Sequence, residues 1–177
     1  MTSQYLVIQA LGMIGAVLFF VSFQCRNNNT LFRFQFLSYL LYTIHLFLLG
    51  AATGGVSYMI NTFRSYCLSS NWKFGRSKKM CIMICCMQTA ALVLTWGGWI
   101  SILPVAANIA VTVGAYTHNA RTIRVVTMLI NSPLWIIYHI IIGSWAEIID
   151  EMVSEISISI SIARYGWKNL GIQEDLE

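Results

Sequence analysis

Apolar residues occur along this chain in long unbroken runs, such as LVIQALGMIGAVLFFVSF at residues 6–23. Strands of a membrane barrel would instead alternate apolar and polar residues over segments of about ten residues. A helix of about 20 residues crosses the roughly 30 Å hydrocarbon core of a bilayer. The runs and the short polar breaks between them therefore predict an all-α membrane protein with seven transmembrane helices, near residues 5–23, 31–50, 53–70, 80–98, 100–117, 123–143 and 145–165.

The composition agrees with a membrane protein, since 57% of the residues are hydrophobic and 10% are charged. Soluble domains carry about 25% charged residues. The net charge of +4 is spread over short polar breaks, so no surface is available to form a nucleic-acid-binding patch. The bilayer is the expected partner, and nucleic acid is excluded.

The basic residues predict the orientation of the helices. All eleven fall in or beside alternate breaks, and seven helices bring these breaks to one side of the membrane. Six or eight helices would scatter them over both sides. The positive-inside rule then predicts a multi-pass protein of the bacterial inner membrane, with a periplasmic N-terminus and a cytoplasmic C-terminus. The five cysteines lie near the same side, where the reducing cytoplasm favours free thiols.

Two segments of the chain resemble each other. YLLYTIHLFLLGA at residues 39–51 and SPLWIIYHIIIGS at residues 132–144 align when Gly50 is placed on Gly143, and this pairs Tyr42 with Trp135. The alignment predicts two parallel three-helix repeats joined by a linker helix, a 3+1+3 arrangement used by some transporters. The expected parts are a first repeat, a loop with the linker helix, a second repeat and a tail, at residues 1–70, 71–98, 99–168 and 169–177.

This pattern resembles the SWEET, semiSWEET and PQ-loop (MtN3-like) transporters. More closely, the chain resembles the YgjV family of bacterial inner-membrane proteins over nearly its full length. The resemblance is carried by SFQCRNNNTLFRFQFLSYLLYTIHLFLLGA, by INTFR and by PLWIIYHIIIGSWAEII. The Pro-Gln pair that gives the PQ loop its name is absent from the comparable places. The resemblance to SWEETs implies a translocation path between two three-helix bundles.

Polar residues inside the predicted helices suggest where a solute would bind. Asn61 lies eleven residues beyond Gly50, and Ser154 and Glu155 lie at comparable distances beyond Gly143, about 16 Å into the membrane. SWEET-like pockets combine an asparagine on the third helix of each bundle with an aromatic residue on the second. The resemblance therefore implies a substrate site formed by Tyr42, Asn61, Trp135, Ser154 and Glu155, with a pocket mouth formed by His45, His139 and Glu151.

The last helix carries the most unusual polar residues. At 100° per residue, its acidic residues and Ser154 gather on one side of the helix. We expect Glu147, Asp150 and Glu151 to lie in the outer third of the membrane, near water, and Glu155 to lie deep. Glu155 would bind a cationic group or a proton. The alternative is that Asn61 and Glu155 only tie helices together.

These features predict a transporter that moves a small polar solute by alternating access. A non-transporting scaffold or sensor is the alternative. The sequence contains no recognisable enzyme motif, so we expect no catalytic activity, metal or cofactor. The sequence is compatible with a homo-oligomer. Five tryptophans lie near predicted helix ends and are typical of the membrane interface, whereas Trp135 lies within its helix.

Overall fold

A computed structural model describes residues 3–70, 72–168 and 170. This part of the chain forms seven helices and no strands, which confirms the predicted all-α class and the number of helices. A short 3-10 turn, Trp99–Ser101, leads into the fifth helix. The helices are α1 (Ser3–Gln24), α2 (Asn28–Leu48), α3 (Ala52–Ser69), α4 (Lys78–Leu94), α5 (Ile102–Ala115), α6 (Ala120–Ile142) and α7 (Trp145–Tyr165).

The bundle has an apolar surface and a polar interior. By length and hydropathy, α1, α2 and α6 are each sufficient to cross a membrane. Large apolar side chains such as Val7, Val93 and Leu94 are exposed, whereas Arg64 and Arg124 are fully buried. This distribution suits a lipid environment, because lipid solvates apolar surface while polar groups must find partners inside the protein.

Six of the helices form a closed ring, with contacts in the order α1–α2–α3–α5–α6–α7 and back to α1. The remaining helix, α4, packs against α3 and α5. Only Met80, Ile84, Gln88 and Ala91 of α4 are buried. The centre of the ring is thus enclosed by six helices, while α4 lies at its periphery.

The polar breaks that contain the basic residues meet at one end of the bundle, which we call the basic end. Asn28 Nδ2 donates a hydrogen bond to the His118 carbonyl (3.0 Å), and Arg76 Nη2 donates to Asn29 Oδ1 (2.9 Å). These bonds join the breaks before α2, α4 and α6. The five cysteines are free, as predicted.

Helices α2 and α6 begin and end in the same way. The side-chain oxygens of Asn27 and Asn119 cap the N-termini of α2 and α6. Each of these helices is followed by a glycine in the left-handed region, Gly50 (φ 76°) after α2 and Gly143 (φ 71°) after α6. The stretch from cap to glycine is one residue longer in α6. A π-helical turn at Thr127–Asn131 accommodates this extra residue. The turn lies just before Pro133, which has no N–H to donate to a helical hydrogen bond.

Candidate functional site

Three carboxylates of α7 point into the ring, and we call them the acidic face. Glu147, Asp150 and Glu151 are 0%, 2% and 3% exposed, and their spacing places them on one side of the helix. The expectation that they lie near water is wrong. Glu147 is the third residue of α7, so it lies near the end opposite the basic end, but neighbouring helices cover it.

A glycine of α1, Gly12, allows part of the close helix packing around Glu147. A Cβ atom on Gly12 of α1 would lie 2.9 Å from the Cβ of Ala146 and 3.0 Å from the ring of His45. Because glycine has no side chain, α1 can approach α2 and α7 at this depth and exclude water. Glu155 was expected to lie deep, but the structure leaves it partly exposed on the side of α7.

Two histidines face Glu147 from opposite sides. His139 Nε2 of α6 lies 3.0 Å from Glu147 Oε2, and His45 Nε2 of α2 lies 3.5 Å from Glu147 Oε1. The Nδ1 atom of His45 lies 2.8 Å from the carbonyl oxygen of Ile8. A carbonyl only accepts hydrogen bonds, so Nδ1 carries the proton and Nε2 faces Ser144 Oγ (2.9 Å) and Glu147. The predicted mouth residues His45, His139 and Glu151 therefore belong to an enclosed cluster.

Several polar atoms of this cluster lack an aligned hydrogen bond. They include both Glu147 carboxylate oxygens, both His139 ring nitrogens, Glu151 Oε2 and the Tyr42 hydroxyl. His139 and Glu147 are close enough to form an ion pair, but their geometry is not that of a hydrogen bond. Leaving such groups buried without partners costs about 1–3 kcal/mol each.

Aromatic rings fill the space beside the acidic face. The rings of Tyr42 and Tyr58 stack with centroids 5.3 Å apart, and those of Tyr58 and Trp135 with centroids 4.3 Å apart. The other face of Trp135 stacks on His139 at 4.9 Å. Both faces of the indole are thus covered, and Tyr58 occupies the space between the two rings predicted to bind a solute.

Asn61 lies in a different environment. Its Nδ2 atom donates to Asn108 Oδ1 of α5 (2.7 Å), and its Oδ1 accepts from Gln88 Nε2 of α4 (3.3 Å). These contacts tie α3, α4 and α5 together. The Ser154 hydroxyl, by contrast, is fully buried and lies 3.5 Å from Asp150 Oδ1. Of the predicted substrate residues, Tyr42, Trp135 and Ser154 thus lie around the acidic face, and Asn61 lies apart from it. The partly exposed Glu155 lies at the edge of the acidic face, where it approaches Ser132 as Glu151 does.

The two buried arginines do not neutralise the acidic face. Arg64 donates to the Tyr39 hydroxyl and to Thr112 Oγ1, both at 3.2 Å. Arg124 donates to Ser161 Oγ (3.0 Å) and to backbone carbonyls at the basic end. Among the described residues, the acidic and basic side chains within ion-pair distance are Glu147 and the two histidines, and these contacts are ion pairs only when an imidazole is protonated.

A cavity of about 250 Å³ lies away from this cluster, between α6, α7 and the following turn. The cavity is lined by Arg124, Val125, Met128, Leu129, Ile162 and Trp167.

Within the described part of the chain, no group of three or more His, Cys, Asp or Glu side chains is placed to hold a metal ion.

Sequence reasoning did not single out Tyr58, and it treated Glu147 and Asp150 as water-facing. A signal for Tyr58 was present, because Gly54, Tyr58 and Asn61 follow the three- and four-residue spacing of one helix face. The distance between α3 and α6, which brings Tyr58 onto Trp135, has no comparable signal in the sequence.

Comparison with known families gives one match. Residues 6–169 match the model of the Imp-YgjV family, described as bacterial inner membrane protein. No curated protein and no solved structure matches the chain.

Proposed function

Because this chain belongs to the Imp-YgjV family of bacterial inner membrane proteins, we propose that it carries a small polar solute across that membrane by alternating access. In this proposal all seven helices cross the bilayer. The basic end faces the cytoplasm, as the positive-inside rule predicts.

The observation that carries the proposal is the acidic face with its unsatisfied polar atoms. Ionisable side chains are expensive inside a membrane and usually mark a solute or ion pathway. Among the described residues, no arginine or lysine forms an ion pair with the buried Glu147, Asp150 or Glu151. A bundle that served only as a scaffold would be more stable with apolar residues at these positions.

The solute would bind between the aromatic rings and the acidic face. Tyr42 and Trp135 would contact its apolar parts, and Ser154 and Asp150 would hydrogen-bond its polar groups. Since Tyr58 separates the two rings, its side chain must move aside for the solute to enter. The stacked arrangement then corresponds to an empty, closed form of the site.

Alternating access would come from rocking of two three-helix units, α1–α3 and α5–α7. A matched pair of contacts supports this division: His45 of α2 faces Glu147 of α7 (3.5 Å), and the Tyr138 hydroxyl of α6 accepts from the Gly54 amide of α3 (3.1 Å). Aligning Gly50 with Gly143 makes these two contacts equivalent. The division into two units is also supported by the matching caps of α2 and α6. It is further supported by the contacts α1–α7 and α3–α5, which the same alignment makes equivalent.

The alternative is a non-transporting scaffold or sensor. The observation that favours it is the continuous stack of Tyr42, Tyr58, Trp135 and His139, which fills the centre of the ring with side chains.

The purified protein separates the two functions. Its melting temperature would be measured against a panel of sugars, amino acids and amines, and compounds that stabilise it would be tested for uptake into proteoliposomes. A solute at 100 times its Kd stabilises the folded state by about 2.7 kcal/mol. We expect one class of compound to stabilise the protein and to enter the liposomes.

Two serines on α7 provide matched variants. Ser154→Ala should abolish the stabilisation, because Ser154 faces the site. Ser159→Ala should leave it intact, because Ser159 is exposed and bonds to its own helix. A panel without effect, together with uptake no faster than in empty liposomes, would support the scaffold instead.

A further inference from the structure

The enclosed cluster cannot be electrically neutral without bound protons. It contains three carboxyl groups, Glu147, Asp150 and Glu151, and two imidazoles, His45 and His139. With the carboxylates ionised and the imidazoles neutral, its charge would be −3, so neutrality requires three protons. An unbalanced charge buried in a low-dielectric interior is strongly unfavourable, so the cluster must hold protons.

Glu147 occupies the central position of the cluster. Its two oxygens face one imidazole from α2 and one from α6, at 3.5 and 3.0 Å. Two lone pairs at the shorter distance would repel each other, so a hydrogen lies between them, either on His139 Nε2, as in one neutral tautomer, or on Glu147. The Tyr42 hydroxyl, 1% exposed, is a further buried polar group and lies beside Asp150 of the acidic face.

The other ionisable groups around Glu147 include no strong base. Helix α1 contacts α7, and its one titratable side chain is Tyr5. The hydroxyl of Tyr5 donates a hydrogen bond to the Gly143 carbonyl (3.0 Å). The groups that face Glu147 are His45 and Tyr42 of α2, Tyr58 of α3, Tyr138 and His139 of α6, and Asp150 and Glu151 of α7.

We propose that Glu147 is a proton-binding site, clamped by His45 and His139, which takes up a proton from one side of the membrane and releases it to the other. The coupling of this step to solute movement rests on the proposed function. Because the two histidines belong to different three-helix units, the presence of the proton changes the attraction between Glu147 and both units. The proton can pass between water and the carboxyl group in each open form, and no other reactant is needed.

Infrared difference spectroscopy of the purified protein tests proton binding directly. A protonated carboxyl group has a carbonyl-stretch band that an ionised one lacks. We expect the wild type to show such a band, decreasing as the pH is raised. Glu147→Gln should remove one component of it. The matched control Glu155→Gln changes a partly exposed glutamate on the same helix and should leave that component unchanged.

A pH titration of Glu147→Gln that equals the wild-type titration would overturn the proposal. Should this variant fail to fold, His139→Asn provides the second test, since removal of the nearer imidazole should shift the titration of the Glu147 component. An unshifted component would likewise overturn it.

Proteoliposomes distinguish this inference from the proposed function. Titration of Glu147 in a protein that transports none of the panel would uphold the proton site and remove the transport proposal. Uptake that ignores an imposed pH gradient and is equal in the wild type and Glu147→Gln would uphold transport and refute proton coupling.

Discussion

Helices α3 and α7 both bury polar side chains, but these side chains make different contacts. In α3, Asn61 and Arg64 donate to side chains of other helices at 2.7–3.2 Å. In α7, both oxygens of Glu147 and one of Glu151 lack an aligned hydrogen bond. Asn61 and Arg64 therefore tie α3 to its neighbours, whereas the acidic face of α7 keeps buried carboxylate oxygens without an aligned partner.

The difference is clearest at equivalent positions. Gly54 and Glu147 each lie four residues beyond the aligned glycines, Gly50 and Gly143. The Gly54 amide donates a neutral hydrogen bond to the Tyr138 hydroxyl, while Glu147 faces His45, the residue aligned with Tyr138. A Cβ on Gly54 would lie 2.9 Å from the Tyr138 ring, so a larger residue at this position would have to displace that ring. The aligned pairs of positions therefore hold a neutral contact between α3 and α6 and an ionisable contact between α7 and α2.

Removing Arg64 should have the largest effect. Arg64→Ala leaves a cavity in the fully buried region of α3 and deprives Tyr39 and Thr112 of a donor. We expect the free energy of unfolding to fall by about 3 kcal/mol, as measured by reversible unfolding in mixed micelles. Arg64→Met fills most of the volume and should cost less. An equal loss in both variants would show that hydrogen bonds outweigh packing here.

The Asn61–Asn108 hydrogen bond should contribute a smaller amount. A double-mutant cycle of Asn61→Ala and Asn108→Ala should give a coupling energy of about 1 kcal/mol. Unfolding of the two single variants and the double variant provides the measurement. A coupling near zero would mean that the short Nδ2–Oδ1 distance of 2.7 Å does not stabilise the helix packing.

Tyr138→Phe tests the neutral counterpart of the His45–Glu147 contact. It removes the hydroxyl that accepts from the Gly54 amide and should lower the free energy of unfolding by about 1 kcal/mol. Because the Tyr138 hydroxyl is bonded to the Gly54 amide and not to Glu147, we expect the infrared titration of Glu147 to shift less than in His139→Asn. A large change in that titration would contradict the division between the two contacts.

His118→Asn should have the smallest effect, and it concerns the basic end. Burial, together with the nearby positive charge of Arg76, lowers the pKa of the His118 imidazole in the folded state. The unfolded chain then binds protons more readily, so His118 makes the protein less stable as the pH falls below about 6.5. Asparagine tolerates the left-handed backbone of this position (φ 55°) and does not titrate. The variant should lose less stability on acidification, as read from melting temperatures.

Much of the fold could be predicted from the sequence, because apolar runs and basic residues are properties of the chain itself. They predicted seven helices and the shared end of the basic residues. Trp135, which was predicted to differ from the other five tryptophans, is buried, whereas those five are exposed. The burial of Glu147 could not be predicted. It depends on which helices cover α7 and on how closely Gly12 allows α1 to approach.

The site could be predicted only in part for the same reason. Helical spacing brought Glu147, Asp150, Glu151 and Ser154 to one side of α7, as the structure shows, whereas Glu155, placed on the same side, is partly exposed. Spacing within one helix gives no information about the partners on others. It could not show that Asn61 bonds to Asn108, nor that Tyr58 lies between Tyr42 and Trp135.

A comparison of the free energies of unfolding of Glu147→Gln and Asn61→Ala tests the contrast between α7 and α3 most directly. Glutamine keeps the size of the side chain and replaces a buried ionisable group whose contacts of ion-pair length are to two histidines. We predict that Glu147→Gln unfolds within about 0.5 kcal/mol of the wild type or is more stable, whereas Asn61→Ala loses about 1 kcal/mol or more. A loss in Glu147→Gln as large as that in Asn61→Ala would contradict the account, because Glu147 would then be a structural tie like Asn61.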